Sequence, residues 1–160
     1  MTPEEKLAEM GLSLPPAMTP PPGVVLLFPF VSVRGDAAYI SGHGPQDANG
    51  ELAGPFGKVG ADVGVEDAAI LAQKTALAML GSLKRELGEL SRVTGWRKIF
   101  GMVNSAPDFG MQPAVINGAS RLILDVFGDE IGRHTRSAVG MASLPFNMAV
   151  EIEGEVEIRS

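Results

Sequence analysis

Residues 134–158 carry the stretch HTRSAVGMASLPFNMAVEIEGEVEI, which decides how this chain folds. From position 150 onward apolar and acidic residues alternate with a period of two, and this pattern predicts a β-strand with two unlike faces. The apolar face is predicted to hold Val150, Ile152, Val156 and Ile158, and the acidic face Glu151, Glu153, Glu155 and Glu157. Because carboxylates are unfavourable in the middle of a sheet, the acidic row predicts a polar face with a function.

The segment just before this strand supplies a possible partner for an acidic ligand. Residues 137–142 are predicted to form another strand, residues 144–147 a turn, and Arg136 stands at the start of the first. A guanidinium group can bind a carboxylate through two parallel hydrogen bonds, and a nearby glutamate can move a proton or hold a water. The alternative is that Arg136 forms a surface salt bridge with Glu151 or Asp108.

The remaining elements follow from the apolar periodicity and from the positions of glycine and proline. The predicted elements are a short helix over 2–11, strands over 24–33 and 37–41 joined by a turn at 34–36, helices over 66–87 and 111–127, and a strand over 93–104. Within the first of these strands, Pro29 suggests a sheet edge or a break. Each long helix has a single apolar stripe, so both are expected on one face of a mixed sheet, which is an α+β fold. Apolar residues on both sides of 24–30 and 99–103 favour burial of the other face by self-association.

Two motifs together resemble a known family. Arg136-Ser137-Ala138-Val139, then Leu144-Pro145, then Val150-Glu151-Ile152-Glu153 resembles the C-terminal signature of the RidA/YjgF family of small imine deaminases. The segment Tyr39-Ile40-Ser41-Gly42-His43-Gly44-Pro45 resembles the first signature of that family. The resemblance covers residues 24–160 as one domain, preceded by a helix and a proline-rich arm over 1–23. The N-terminal part is similar to the YjgF/chorismate mutase-like subgroup, which is also called endoribonuclease L-PSP.

The resemblance implies a chorismate mutase-like fold, a homotrimer with a central barrel, and active sites in the clefts between subunits. It also implies roles for individual residues: Arg136 grips a substrate carboxylate, Glu151 positions the attacking water, and Ser41, Gly42 and Asn117 orient the substrate. The alternation alone leaves Glu153 open as well, since it faces the same side as Glu151, and Ser41 with Gly42 would also suit a tight turn.

Three positions depart from the family pattern within the implied pocket. Phe30 stands where the family has a tyrosine, so the ring is kept and the hydroxyl is lost. His43 replaces a glutamine, and Ala138 stands where cysteine is common. His43 adds a group that titrates near neutrality, so a proton-transfer role is open to it.

The composition excludes several classes of function. The chain has 160 residues, a formal charge of −6 and no cysteine, with a pI of about 4.9. An acidic chain without a basic run argues against nucleic-acid binding, and the basic residues between 84 and 98 are expected to be a solvated helix end. The absence of cysteine fits a cytoplasmic protein. There is no long apolar run, so no membrane span is expected. Two histidines about ninety residues apart predict no metal site.

The resemblance implies an enamine/imine deaminase that hydrolyses small 2-imino acids to 2-keto acids and ammonia, with no cofactor. A binding module that holds a small carboxylate without turnover is the alternative. An endoribonuclease or translation inhibitor and a chorismate mutase are further readings, which rest on the naming of relatives and on fold analogy alone.

Overall fold

Five strands form one mixed sheet. In the computed structural model, which describes residues 1–160, they are β1 (Val31–Arg34), β2 (Ala37–His43), β3 (Val93–Asn104), β4 (Thr135–Met141) and β5 (Val150–Ile158). Their order across the sheet is β1-β2-β5-β3-β4. Only β3 and β4 pair in parallel, and a parallel pair needs a long crossover connection. The alternating strand β5 therefore lies at the centre of the sheet, between β2 and β3.

Two long helices cover one face of this sheet, as their single apolar stripes predicted. These two are α2 (Val65–Leu87) and α3 (Gln112–Gly132). A short helix, α1 (Pro3–Glu9), precedes the sheet, and 3-10 turns lie at Leu90–Arg92 and Pro145–Asn147. The fully buried side chains include Leu71, Met79, Leu80, Leu83, Ile116, Leu122, Ile123 and Ile152. The α2 and α3 backbones approach so closely that a Cβ at Gly118 would lie 1.9 Å from the Ala69 carbonyl oxygen. The predicted α+β architecture is confirmed. None of the helices is both long and apolar enough to cross a bilayer.

The N-terminal segment packs against the body of the protein. Thr2 and Glu5 form the capping box that starts α1, and Leu7 on that helix is 3% exposed. The Glu4 carboxylate bonds Lys84 Nζ at 2.9 Å and accepts the Leu90 backbone N–H at 2.8 Å. These contacts hold α1 beside the C-terminal end of α2, and the chain then runs past α2 in an extended conformation. The domain boundary at residue 23 stays a prediction.

The prediction of a strand over 24–33 is wrong for residues 24–30, because β1 covers only Val31–Arg34. Residues 24–30 are irregular, and Val25 and Leu27 are 77% and 91% exposed. Proline has no N–H to donate to a sheet, and at Pro29 the chain is held instead through its carbonyl, which accepts a bond from Ser41 Oγ at 2.8 Å. Pro29, which suggested a sheet edge or a break, lies two residues before β1, and β1 is the edge strand of the sheet.

Two element ends also differ from prediction. Gly128 (φ 78°, ψ 169°) interrupts α3 where its end was predicted, but one further turn follows to Gly132. Strand β4 begins at Thr135, two residues earlier than predicted, so Arg136 is its second residue.

The second face of the sheet has no helix over it. Tyr39 is 47% exposed there, and Phe100 and Met102 are only partly buried. Self-association through this face stays a prediction.

Candidate functional site

Six of the eight predicted site residues line two separate cavities. The first, about 270 Å³ in volume, is called the Glu151 cavity; its lining includes Phe30, Gly42, His43, Ser82, Arg85 and Glu151. The second, about 330 Å³, is called the Arg136 groove and is lined by Asn117, Ser120, Leu124, Arg133, His134 and Arg136. One chain thus separates the predicted carboxylate anchor from the predicted water-positioning group.

Strand alternation explains this separation. Arg136 pairs in register with Ile99, a core residue on the helix-covered face, so both side chains project to that face. Glu151 pairs with Met102, three positions further along β3, and projects to the open face. The salt bridge between Arg136 and Glu151, or between Arg136 and Asp108, is therefore not formed.

The Glu151 carboxylate lies against a glycine of the neighbouring strand. A bulge between Ile40 and His43 changes the register of β2 against β5, and a Cβ at Gly42 would lie 2.4 Å from Glu151 Oε2. Burial raises the pKa of Glu151, and the adjacent charge of Glu153 raises it further. A carboxyl group with a raised pKa exchanges protons more readily near neutral pH than a solvated one does.

A directed chain of hydrogen bonds lines the side of the cavity next to α2. His43 Nδ1 contacts the Ser41 carbonyl, so this nitrogen carries the proton and Nε2 accepts from Ser82 Oγ at 2.8 Å. Ser82 Oγ in turn accepts a bond from Arg85 Nη2 at 3.1 Å. Burial lowers the pKa of His43 to about 4, and the charge of Arg85 adds to this effect, although the bond to Ser41 opposes it.

His43 is therefore neutral at physiological pH, and the expectation that it titrates near neutrality is wrong because the ring is buried beside a cation. Its ring packs on Phe30, with centroids 5.2 Å apart. Phe30 lines the cavity wall, and its ring offers no hydroxyl there.

The Arg136 groove holds a cation without an acidic partner. Arg136 donates from Nη1 to Ser120 Oγ at 3.0 Å and from Nη2 to the Pro113 carbonyl at 3.2 Å. Ser120 Oγ lies 2.8 Å from His134 Nε2, and His134 Nδ1 lies 2.7 Å from the Gly132 carbonyl. Partial burial lowers the pKa of Arg136. The guanidinium is thus fixed by neutral oxygens and keeps donors for an anion.

The other predicted residues are placed as follows. Asn117 lines the Arg136 groove and is exposed. The Ser41 hydroxyl is engaged by Pro29, and Ser41 lines a shallow hollow on the open face with Glu153. Ala138 packs against the core beside the groove. Of all the predicted site residues, Phe30, Gly42, His43 and Glu151 come together in the Glu151 cavity, and Asn117 and Arg136 come together in the Arg136 groove.

Several cavity residues escaped prediction from the sequence. Arg85 belongs to the run that was expected to be a solvated helix end, and Ser82, three residues before it, is 5% exposed. A buried serine one helical turn from an arginine was the available signal, since a buried hydroxyl requires a partner. Phe146 also lines the cavity, with a left-handed φ of 57°. Such backbone strain in a residue other than glycine is more common at binding sites.

Comparison with known proteins gives consistent matches over the whole chain. The family model described as YjgF/chorismate mutase-like, putative endoribonuclease, matches residues 4–153. Protein TCP17 of Trypanosoma cruzi is 39% identical over 155 residues, which cover 96% of this chain and 92% of that protein.

Two solved structures are similar in both sequence and fold. The protein Atu1372 from Agrobacterium tumefaciens, of unknown function, is 41% identical with a TM-score of 0.86, over 98% of this chain and 92% of that one. A protein from Shewanella oneidensis described as a putative endoribonuclease is 29% identical with a TM-score of 0.90, over 99% and 100%.

Proposed function

The chain belongs to the YjgF/RidA family, and we propose that it is a deaminase that hydrolyses small 2-imino acids. Water adds to the imine carbon, its protons pass to the nitrogen, and the carbon–nitrogen bond breaks to release ammonia and a 2-keto acid. Such imines also hydrolyse unaided, so positioning and charge stabilisation are sufficient and no cofactor is required. We propose a cytoplasmic location as well, since a chain without cysteine needs no oxidising compartment.

The observation that carries this proposal is the pair of incomplete half-sites. Arg136 is an unpaired cation on one face of the sheet, and Glu151 is a half-buried carboxylate with no hydrogen-bond donor from its own chain on the other. The Arg136 groove lacks a carboxylate, and the Glu151 cavity lacks a donor for its carboxylate. A second copy of the chain, placed against the uncovered face of the sheet, would bring its Arg136 groove to the Glu151 cavity. We therefore propose a homotrimer with active sites between subunits.

The proposed roles follow from the chemistry of each group. Arg136 binds the substrate carboxylate with the donors that Ser120 and Pro113 leave free. The exposed amide of Asn117 lies beside it and orients the substrate. Across the interface, Gly42 leaves room for the Glu151 carboxylate, since a Cβ at Gly42 would lie 2.4 Å from Glu151 Oε2, and Glu151 holds the water and accepts its proton.

The direct test measures ammonia and keto-acid release from imines generated in situ by an amino-acid oxidase. Arg136→Lys and Glu151→Gln are expected to abolish the acceleration with the fold kept, because they remove the two-point carboxylate contact and the proton acceptor. Glu153→Gln is the matched control, since it removes a carboxylate from the same face of the same strand. Full activity in either of the first two variants would overturn the residue assignment, and loss in the control would transfer the role to Glu153.

The shared site has its own test in mixed assemblies. When inactive Arg136→Ala and Glu151→Gln chains are co-assembled in equal amounts, about a quarter of the inter-subunit sites in a random cyclic assembly should regain both residues. Recovery of about a quarter of the wild-type activity is expected. No recovery in a proven mixed trimer would place both residues in sites of single chains and refute the shared arrangement.

A non-catalytic carboxylate-binding module is the second candidate, and Phe30 favours it. Its ring lines the Glu151 cavity but offers no hydroxyl to a reacting atom. This function predicts that 2-keto acids protect the protein from heat, that Arg136→Ala removes the protection, and that no imine is hydrolysed faster than in buffer.

A further inference from the structure

Arg85 is the cation of the Glu151 cavity, and no carboxylate in the chain neutralises it. Its Nη1 donates to the Pro15 carbonyl at 3.2 Å and its Nη2 to Ser82 Oγ at 3.1 Å. Arg97 shows the opposite case, because Glu155, Glu157 and Asp36 all lie within 3.5 Å of its guanidinium. A guanidinium carries five N–H donors, so Arg85 keeps three of them for an acidic ligand.

The surroundings of Arg85 hold the guanidinium in place. Ser82 is 5% exposed and gives its proton to neutral His43, so its oxygen faces Arg85 as an acceptor. The Pro15 carbonyl approaches from the N-terminal arm. Although Arg85 as a whole is exposed, partial burial lowers its pKa. Water around it is thus partly replaced by two fixed oxygens, neither of which carries a charge.

Apolar side chains form about half of the cavity lining, and one of them, Met18, belongs to the N-terminal arm. The apolar lining consists of Met18, Leu26, Phe28, Phe30, Leu52, Phe146 and Met148. The cavity volume of about 270 Å³ suits a small ligand, and the mixed lining suits a short hydrocarbon chain between two polar ends.

We infer that the Glu151 cavity selects 2-imino dicarboxylic acids of four or five carbons, whose second carboxylate is bound by Arg85. This inference rests on the proposed function, in which the first carboxylate is bound by Arg136 of a second copy. The methylene groups lie against the apolar wall, and the imine carbon lies near Glu151. Arg85 is then the specificity-determining residue, and the N-terminal arm completes its subsite through Pro15.

The test compares the binding of two stable keto acids by titration calorimetry on the full chain. The probes are 2-oxoglutarate and 2-oxopentanoate, which have equal chain length and differ in the distal carboxylate. Wild type is expected to bind 2-oxoglutarate about ten- to a hundredfold more tightly, the range for hydrogen bonds to charged groups. Arg85→Gln should remove this preference, because it weakens the binding of 2-oxoglutarate far more than that of 2-oxopentanoate, and Arg85→Lys should keep part of the preference.

Arg34→Gln is the matched control, because Arg34 is an exposed arginine outside both cavities. It should bind both acids as wild type does. Equal affinities in wild type, a preference that survives Arg85→Gln, or no binding of either acid would each overturn the inference.

The deaminase assay separates this inference from the proposed function. If the protein accelerates hydrolysis of 2-imino acids with uncharged side chains while Arg85→Gln leaves the rate for 2-imino dicarboxylic acids unchanged, the inference fails and the deaminase stands. If no imine is hydrolysed faster while the Arg85-dependent preference for 2-oxoglutarate is observed, the deaminase fails and the dicarboxylate subsite stands.

Discussion

Gly42→Ala should disable the site without unfolding the protein. The new Cβ would lie 2.4 Å from Glu151 Oε2, whereas a relaxed carbon–oxygen contact is about 3.3 Å or longer. The carboxylate must therefore move by about 0.9 Å. Misplacement of a reacting group by this amount costs about a hundredfold in rate, so we expect kcat for imine hydrolysis to fall by about that factor.

The stability of the same variant should change little. The atom that must move is the far end of a flexible side chain, and alanine in place of a strand glycine contributes about 0.5–1 kcal/mol of stability. Urea unfolding should therefore give a free energy of unfolding equal to or slightly above that of wild type. Gly95→Ala is the matched control, because its Cβ would have only Glu157 Cβ near it, at 3.9 Å. It should keep both activity and stability.

A double variant checks that the effect of Gly42→Ala passes through Glu151. If it does, adding Gly42→Ala to Glu151→Gln should lower the residual rate no further, since two changes that remove one interaction are not additive. A folded Gly42→Ala protein with a rate within about twofold of wild type would refute the reasoning, because a displaced carboxylate would then be harmless.

Three further predictions concern packing, charge and positioning. Gly118→Ala places a Cβ 1.9 Å from the Ala69 carbonyl oxygen and should lower the free energy of unfolding by about 1–3 kcal/mol in urea titrations, although alanine favours a helix; unchanged stability would contradict the close helix contact. Glu151→Gln should raise the thermal midpoint at pH 8 but not at pH 4: burial raises the folded-state pKa of Glu151, so its ionisation destabilises the fold as pH rises above the ordinary value of 4.5. An equal gain at both pH values would show that charge is not the cause. Ser120→Ala removes an acceptor that positions Arg136 and should lower kcat/KM about tenfold, whereas Ser120→Thr keeps the hydroxyl and should restore most of it; equal rates in both variants would exclude a positioning role.

Much of the fold could be predicted because local signals and packing agree. The strand over 93–104 was predicted with both ends as observed, and Gly88 ends α2 as predicted, since a left-handed residue at that position favours glycine. The segment over 24–30 shows the opposite case. Its apolar residues matched a strand, but the ladder with β2 begins only at Val31, after Pro29, which has no N–H to donate.

The site was only partly predictable, for a reason that lies in the sheet. Glu151 could be assigned a face because Val150 and Ile152 on either side of it are apolar, and the structure buries both completely. Arg136 could not, because β4 lies at the sheet edge and its residues are all exposed or partly buried, without clear alternation. Only the register of Arg136 with Ile99 on β3 determines which face its side chain occupies. The register between two strands that are distant in sequence cannot be predicted from either strand alone.

The same argument explains why Arg85 escaped notice. Its charge placed it with solvated residues, and its helix position placed it beside the stripe that packs on the sheet. What makes it part of a cavity is the N-terminal arm, whose Pro15 carbonyl accepts its Nη1–H from 70 positions away. The arm has no periodicity from which its path could be predicted, since proline-rich segments form no internal hydrogen bonds. The proposed binding role of Arg85 could therefore not be predicted from the sequence. The carbonyl that positions its guanidinium belongs to the N-terminal arm, and only the tertiary structure determines where that arm packs.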